Sequence, residues 1–260
     1  MPALSVYILT LNEEKRLPQT LAAASEVADE IVVVDSGSTD KTEEIAKSFG
    51  AKFIFNKWKN ISSQKNFAEN QCSNDWVLSL DADEVLSPGL IEEINKIKTA
   101  PAALAYKVKI GNMYPGYVRP RPFTRRYNLV RLYNRKTGGN MPDDLTHDRV
   151  VLRSGVKPAQ LRHEIYHYSY LDLFHLWNKL NVYTNELVKT AVATNKKYSR
   201  LRLLTEFPRQ FLTYYIGRRN CFDGWWGFIN STTMAYFRFL KIAKYFEYKM
   251  LEAEAKKNKK

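Results

Sequence analysis

Cysteine is nearly absent from this chain. Cys72 and Cys221 stand far apart with no His or Cys cluster beside either, so neither a disulfide framework nor a zinc-ligand pattern is present. A reducing cytoplasm is the simplest setting. Long apolar runs are lacking too. The longest uncharged stretch near the end, Gly224 to Phe237, has 14 residues and includes Asn230, Ser231, Thr232 and Thr233, whereas a bilayer span needs roughly 20 apolar residues. Met1 to Thr10 has no basic start and leads into LNEEKR, so no secretory leader is expected. Internal repeats and low-complexity linkers are also missing. Whole-chain disorder is excluded, because 45% of the residues are hydrophobic and 13% aromatic.

Negative charge is scarce in only one part of the chain. The 260 residues carry a net +13, yet residues 1–98 hold 10 Lys or Arg against 16 Asp or Glu, a net −6, while residues 99–260 hold 30 against 11, a net +19. An acidic half is therefore joined to one suited to a polyanion: nucleic acid, an anionic lipid surface or a phosphorylated substrate. A merely soluble basic surface is the plain alternative.

Three short apolar runs, Leu4 to Leu9, Ile31 to Val34 and Trp76 to Leu80, are unbroken rather than alternating, as strands buried on both faces of a parallel sheet are. Helical patterns lie between them at Leu17–Ser25, Asp40–Phe49 and Ser62–Gln71, and a short strand is expected at Lys52–Phe55. Ser87-Pro88 opens a helix through Ile97, and Leu104–Ile110 and Leu129–Tyr133 read as strands. The first 110 residues are thus α/β with right-handed crossovers. Gly111 to Gly155 is irregular and rich in Pro, Gly and Arg. After His163 the pattern is helical: one amphipathic helix carries Leu173, Leu176, Trp177, Leu180, Tyr183, Leu187 and Ala191, and two more follow near Arg202–Ile216 and Trp226–Leu251.

The strongest chemical signal is Asp81-Ala82-Asp83, directly after a buried strand. Open α/β sheets bind ligands at the carboxyl ends of their strands, and paired carboxylates there suit a hard divalent ion whose shell phosphate oxygens complete. Glu84 beside them is free to serve the next helix start. Asp35 ends the second run, where it can accept from a base N–H or from ribose hydroxyls, whereas Ser38, Thr39 and Asp40 read as turn and cap residues. Thr10, Asn12, Glu13 and Glu14 add polar groups at the first strand end. Three such strand ends in succession point to a nucleotide bound through a metal.

Segments in matching order make the reading specific: ILTLNEE (8–14), EIVVVDSGSTDKT (30–42), QKN (64–66), DWVLSLDADE (75–84), VRLYNR (130–135), THD (146–148), HYSY (167–170) and DGWWGF (223–228). Together they resemble family-2 glycosyltransferases of the GT-A fold, and among them the bacterial lipopolysaccharide core glucosyltransferases. The resemblance implies a mixed α/β sheet with a C-terminal helical extension, a catalytic domain over 1–160 and a basic helical region over 161–260. It implies a UDP-sugar donor, with Thr10, Asn12, Glu13 and Asp35 lining the uridine pocket, Lys65 near the nucleotide, Asp81 facing ribose or metal and Asp83 ligating Mg²⁺ or Mn²⁺. At THD the branch usually has His-Glu, so Asp148 is a general base shorter by one methylene. His147 either orients Asp148 or touches the metal, or is a structural loop histidine.

Arg119, Arg121, Arg125 and Arg126, interleaved with Tyr114, Tyr117 and Phe123, are the candidate acceptor or anion readers, a solvated loop being the alternative. His163 and His167, four apart, lack a third ligand and are read as packing residues. RRNCFDGWWGF and YFRFLKIAKYFEYKM mix aromatic and basic residues as bilayer-interface segments do, and as core helices with a solvated face also do. The expected partners are a UDP-sugar, a phosphorylated lipid-linked saccharide and an anionic membrane surface, with nucleic acid set aside because it leaves the acidic strand ends unexplained. The expected location is cytoplasmic, peripheral on the inner membrane face.

Overall fold

The computed structural model describes residues 2–122, 126–139, 150–169 and 171–257. The chain divides into two compact units, Met1–Met113 with Arg126–Ser169, and Tyr114–Arg125 with Tyr170–Lys260.

The first unit is built on an eight-stranded sheet. Its strands are β1 (Leu4–Thr10), β2 (Glu30–Asp35), β3 (Lys52–Phe55), β4 (Trp76–Asp81), β5 (Glu84–Leu86), β6 (Ala105–Asn112), β7 (Arg126–Asn134) and β8 (Ala159–His167), in the order β3-β2-β1-β4-β7-β6-β8-β5. Strands β3, β2, β1 and β4 are parallel. Strand β7 is antiparallel to both β4 and β6, β8 is parallel to β6, and β5 is antiparallel to β8. The helices are α1 (Leu17–Ser25), α2 (Thr42–Ser48), α3 (Ile61–Asn70) and α4 (Pro88–Thr99).

The unbroken runs are buried as expected: Val6, Ile8, Val32, Val33, Val34, Val77, Leu78 and Leu80 are all at 0% exposure. One core cluster gathers Val6, Ile8, Leu78 and Leu80 with Leu17, Leu21, Leu90 and Ile94 from α1 and α4. Because parallel strands share a direction, the carboxyl ends of β1, β2 and β4 emerge at one edge, with Thr10 paired to Asp35 and Leu9 to Asp81 in register.

Two strands escape the sequence pattern. Strand β5 has three residues, too short for any periodicity. Strand β8 turns 159–167 into an extended segment, and its register against β6 shifts between Lys107 and Lys109, so its apolar residues do not alternate cleanly. His163 and His167 therefore lie on a strand, not on a helix turn.

The second unit contains α5 (Leu173–Ala193), α6 (Arg202–Leu212), a π-helical turn Thr213–Gly217 and the long α7 (Gly224–Lys257). Helix α5 buries Leu176, Thr184, Val188 and Ala191, while Trp177 and Tyr183 from the expected apolar face stay 46% and 58% exposed. Lys244 of α7 ties the two helices, donating to the Asn181 carbonyl, Thr184 Oγ1 and Asn185 Oδ1 at 2.9, 2.9 and 2.6 Å. Among the described residues no helix is long and apolar enough to cross a membrane.

Candidate active site

The turns after β1 and β2 are stitched together by side chains. Thr10 Oγ1 donates to Asp35 Oδ1 at 3.0 Å, and Asp35 Oδ2 accepts from the backbone N–H groups of Gly37 and Ser38, both at 2.7 Å. Gly37 has φ +113°, which an L side chain rarely adopts. Asn12, itself left-handed at φ 56°, accepts from the Thr39 N–H at 2.9 Å, and its own N–H donates to Ser38 Oγ at 2.7 Å. Asp40 accepts from the Thr42 N–H at 3.0 Å and from the Glu14 N–H at 3.1 Å, serving as a turn residue ahead of α2, whose N-cap is Lys41. The polar strand ends thus form one pre-ordered rim, with Asp35 only 3% exposed.

Beneath the third strand end lies a buried ion cluster. Helix α3 is capped by Asn60, which accepts from the Ser63 N–H. It buries Ser62, Lys65 and Glu69 at helical spacing. Lys65, at 0% exposure, reaches Asp81 Oδ1 at 3.1 Å, while Arg131 on β7 reaches Asp81 at 3.4 Å and Glu84 at 2.7 Å. Burial pushes against ionisation of Asp81, but Lys65 and Arg131 outweigh it and hold its carboxyl well below the usual carboxylate range. Burial pushes Glu84 up to about 7, with the Asp81 charge adding to it and Arg131 pulling the other way. Glu84 does not serve the following helix start. It is 2% exposed, and its carboxylate accepts from the Asp81 N–H and from Arg131.

Asp83 is oriented from two sides. Arg16 NH1 lies 3.2 Å from one carboxylate oxygen and His167 Nε2 3.4 Å from the other. Arg16 is itself clamped by Glu13 and donates to the Tyr168 carbonyl. Burial opposes the Asp83 charge, and His167 and Arg16 together pull its pKa below the usual value. Burial likewise opposes protonation of His167, and the hydrogen bond to Asp83 raises it. His163 is engaged separately, 3.1 Å from Glu93, so the two histidines do not act as a pair.

Thr10, Asn12, Glu13, Asp35, Lys65, Asp81 and Asp83 are therefore brought to one sheet edge. Of the candidate arginines, Arg119 and Arg121 belong to the second unit and Arg126 to the first. Arg126 on β7 pairs with Glu164 at 2.6 Å, Arg121 in the second unit donates to the Phe222 carbonyl at 3.0 Å, and Arg119 is exposed. Arg125, His147 and Asp148 lie outside the described residues. Sequence reasoning gave no role to Arg16, Arg131 or His167. Arg131 did carry a signal, since a charge inside the apolar run LVRLY requires a buried partner.

No cluster of three or more His, Cys, Asp or Glu side chains that could hold a metal occurs among the described residues. The oxygen-only pair Asp81 and Asp83 nevertheless fits Mg²⁺ or Mn²⁺, which commonly takes one or two carboxylates and leaves the remaining positions to phosphate and water. The Asp81 side chain is 34% exposed, enough to meet a ligand from solvent.

The class this geometry defines is an α/β enzyme with its ligand site at the carboxyl ends of parallel strands. The Glycosyl transferase family 2 profile matches residues 5–158. An uncharacterized glycosyltransferase of Rickettsia typhi is 40% identical over 253 residues, covering 94% of this chain and 87% of its own. The lipopolysaccharide core biosynthesis glycosyltransferase LpsC of Rhizobium meliloti is 30% identical over 257 residues, covering 96% and 94%. A crystal structure of S. aureus TarS aligns over 72% of this chain and 65% of its own, less than two thirds of that chain, with 16% identity and a TM-score of 0.45. The chain belongs to glycosyl transferase family 2 and is a transferase enzyme.

Proposed function

We propose that this enzyme transfers a hexose, glucose in the first instance, from a UDP-sugar to an inner-core sugar, heptose in the first instance, of a lipopolysaccharide precursor, with inversion and with dependence on a divalent metal. The observation that carries the reading is the convergence of Thr10, Asp35, Asp81 and Asp83 at one edge, with Lys65, Arg16 and Arg131 behind them. The similarity to LpsC supports the acceptor class, and the net +19 of residues 99–260 suits a phosphorylated, lipid-linked acceptor at an anionic membrane surface.

Asp35 and the Thr10–Asn12 turn would hold the nucleoside. Asp83, with Asp81, would hold Mg²⁺ or Mn²⁺, which supplies Lewis-acid stabilisation of charge on the leaving diphosphate. Lys65 and Arg131 keep Asp81 ionised, and Arg16 and His167 fix the Asp83 rotamer, so both carboxylates are ready before any ligand arrives. Asp148, assisted by His147, takes the proton of the attacking hydroxyl, an assignment that rests on the THD segment alone. Single displacement then inverts the anomeric centre, by analogy with inverting glycosidases.

Incubation with UDP-glucose, Mg²⁺ and a truncated lipid acceptor is expected to release UDP. No release with any nucleotide sugar would refute the reading, whereas release only with a capsule, glycolipid or protein acceptor would keep the transferase and change its substrate. Asp83→Ala should abolish metal-dependent transfer. Asp148→Asn should retain donor binding by calorimetry and lose transfer; full transfer by this variant would sink the base assignment.

A further inference from the structure

Helix α6 is built inside out. At about 100° per residue, Leu201, Leu204, Phe207, Leu212 and, beyond the π-helical turn, Ile216 fall on one side, and they are 64%, 77%, 36%, 54% and 62% exposed. Glu206, on the other side, is 1% exposed. Its carboxylate accepts from Arg202 Nε at 2.9 Å, from Arg209 at 3.0 Å and from Gln210 at 3.0 Å. Helix α6 packs on α7, where Lys241 feels the Glu206 charge. A surface helix of a water-soluble domain normally turns its apolar stripe inward and its charges out, and a contiguous exposed apolar patch marks an interaction surface.

The patch continues beyond the helix. Phe228 of α7 meets Phe211 and Tyr215 with ring centroids at 5.7 and 6.0 Å. Phe228 also lines an apolar groove of about 470 Å³ with Phe174, Trp177 and Ile229. The segment that carries the stripe is basic: residues 196–219 contain seven Lys or Arg and a single acid, Glu206, which engages Arg202 and Arg209, while Lys196, Lys197, Arg200 and Arg219 are exposed. Two copies meeting through this face would set cation against cation. An anionic headgroup layer over an acyl layer matches both components, because interfacial helices place their apolar face at the acyl boundary and their Lys and Arg among the phosphates.

We propose that α6 and the π-helical turn after it form an insertion surface for an anionic bilayer, the Leu204–Ile216 stripe entering the acyl boundary and the flanking arginines meeting lipid phosphate. The inference deepens the membrane-side reading above by naming the element that docks, and it does not depend on donor, metal or base.

The test is co-sedimentation of the full chain with vesicles of phosphatidylcholine alone and of phosphatidylcholine with phosphatidylglycerol, without nucleotide sugar. Binding is expected to the anionic vesicles only, and Leu204→Glu with Ile216→Glu should weaken it by at least ~10-fold while the circular-dichroism melt is unchanged. Leu204→Gln with Ile216→Gln serves if the glutamates disturb folding. Leu104→Glu, at a 48% exposed site in the first unit, should leave binding as it is. Equal binding by the stripe variants and the wild type, or no binding to anionic vesicles, would overturn the inference. So would a dimer in sedimentation velocity that Leu204→Glu dissociates, since a second copy would then cover the face. Failure here leaves UDP release intact, and failure of UDP release leaves vesicle binding intact, so the two readings fall separately.

Discussion

Lys65 is 0% exposed and Arg131 3% exposed, and both point at carboxylates that reach the rim of the site. A buried cation is tolerated only with a partner, and removing one member of a buried pair usually costs more than the pair contributes, because the survivor is left uncompensated. Arg131→Met strands Glu84, which is 2% exposed, and weakens the hold on Asp81. The expected loss is about 3–5 kcal/mol, seen as a fall in Tm of roughly 10 °C in calorimetry. A loss below about 1 kcal/mol would show that Glu84 simply takes up a proton and that the cluster is not a structural tie. At this scale the sequence was only partly legible. The carboxylates announce themselves by following apolar runs. Their counter-ions come from the N-cap of α1, from α3, β7 and β8, and which helix or strand faces a given strand end is decided by packing, not by local pattern. Lys65 entered the reading through resemblance, His167 only as a packing residue, and Arg16 not at all.

Among the elements, the parallel strands were readable because burial on both faces leaves an unbroken apolar run. Strand β8 was not, because its segment AQLRHEIYH alternates imperfectly around a register shift. Helix α6 was readable as a helix but not in its orientation: periodicity reports that two faces differ, never which of them meets the protein. The burial of Glu206 has a thermodynamic consequence. Burial opposes its charge, but the hydrogen bonds from Arg202, Arg209 and Gln210 outweigh it and lower its pKa. A depressed carboxyl contributes stability that is present above the unfolded value, ~4.3, and is lost as pH falls through the folded one. Thermal melts followed by circular dichroism should therefore drop below about pH 4 more steeply in the wild type than in Glu206→Gln. Identical acid limbs would mean that Glu206 gains nothing from its arginines.

For the whole molecule, the net +13 joins two opposite charges with separate physical consequences. The strand-end carboxylates are neutralised by enclosed cations, so bulk salt reaches them poorly, whereas Lys196, Lys197, Arg200, Arg209 and Arg219 are exposed. Raising ionic strength from ~0.1 M to ~1 M shortens the Debye length from ~10 Å to ~3 Å. If the proposed substrates are the right ones, the KM for a lipid-dispersed acceptor should then rise several-fold, while the KM for the UDP-sugar changes less than about twofold. Apolar contact by α6 predicts that some vesicle binding survives the salt, because burial of apolar area does not depend on counterions. A protein that used this basicity for nucleic acid would instead lose affinity linearly in log salt, with a slope near −0.9 per phosphate contacted, and would turn over no nucleotide sugar. Steady-state kinetics across salt, run with vesicle sedimentation on the same samples, separates the two. Parallel loss of donor and acceptor affinity would show instead that the acidic rim is open to solvent ions and that the division of charge has no bearing on substrate choice.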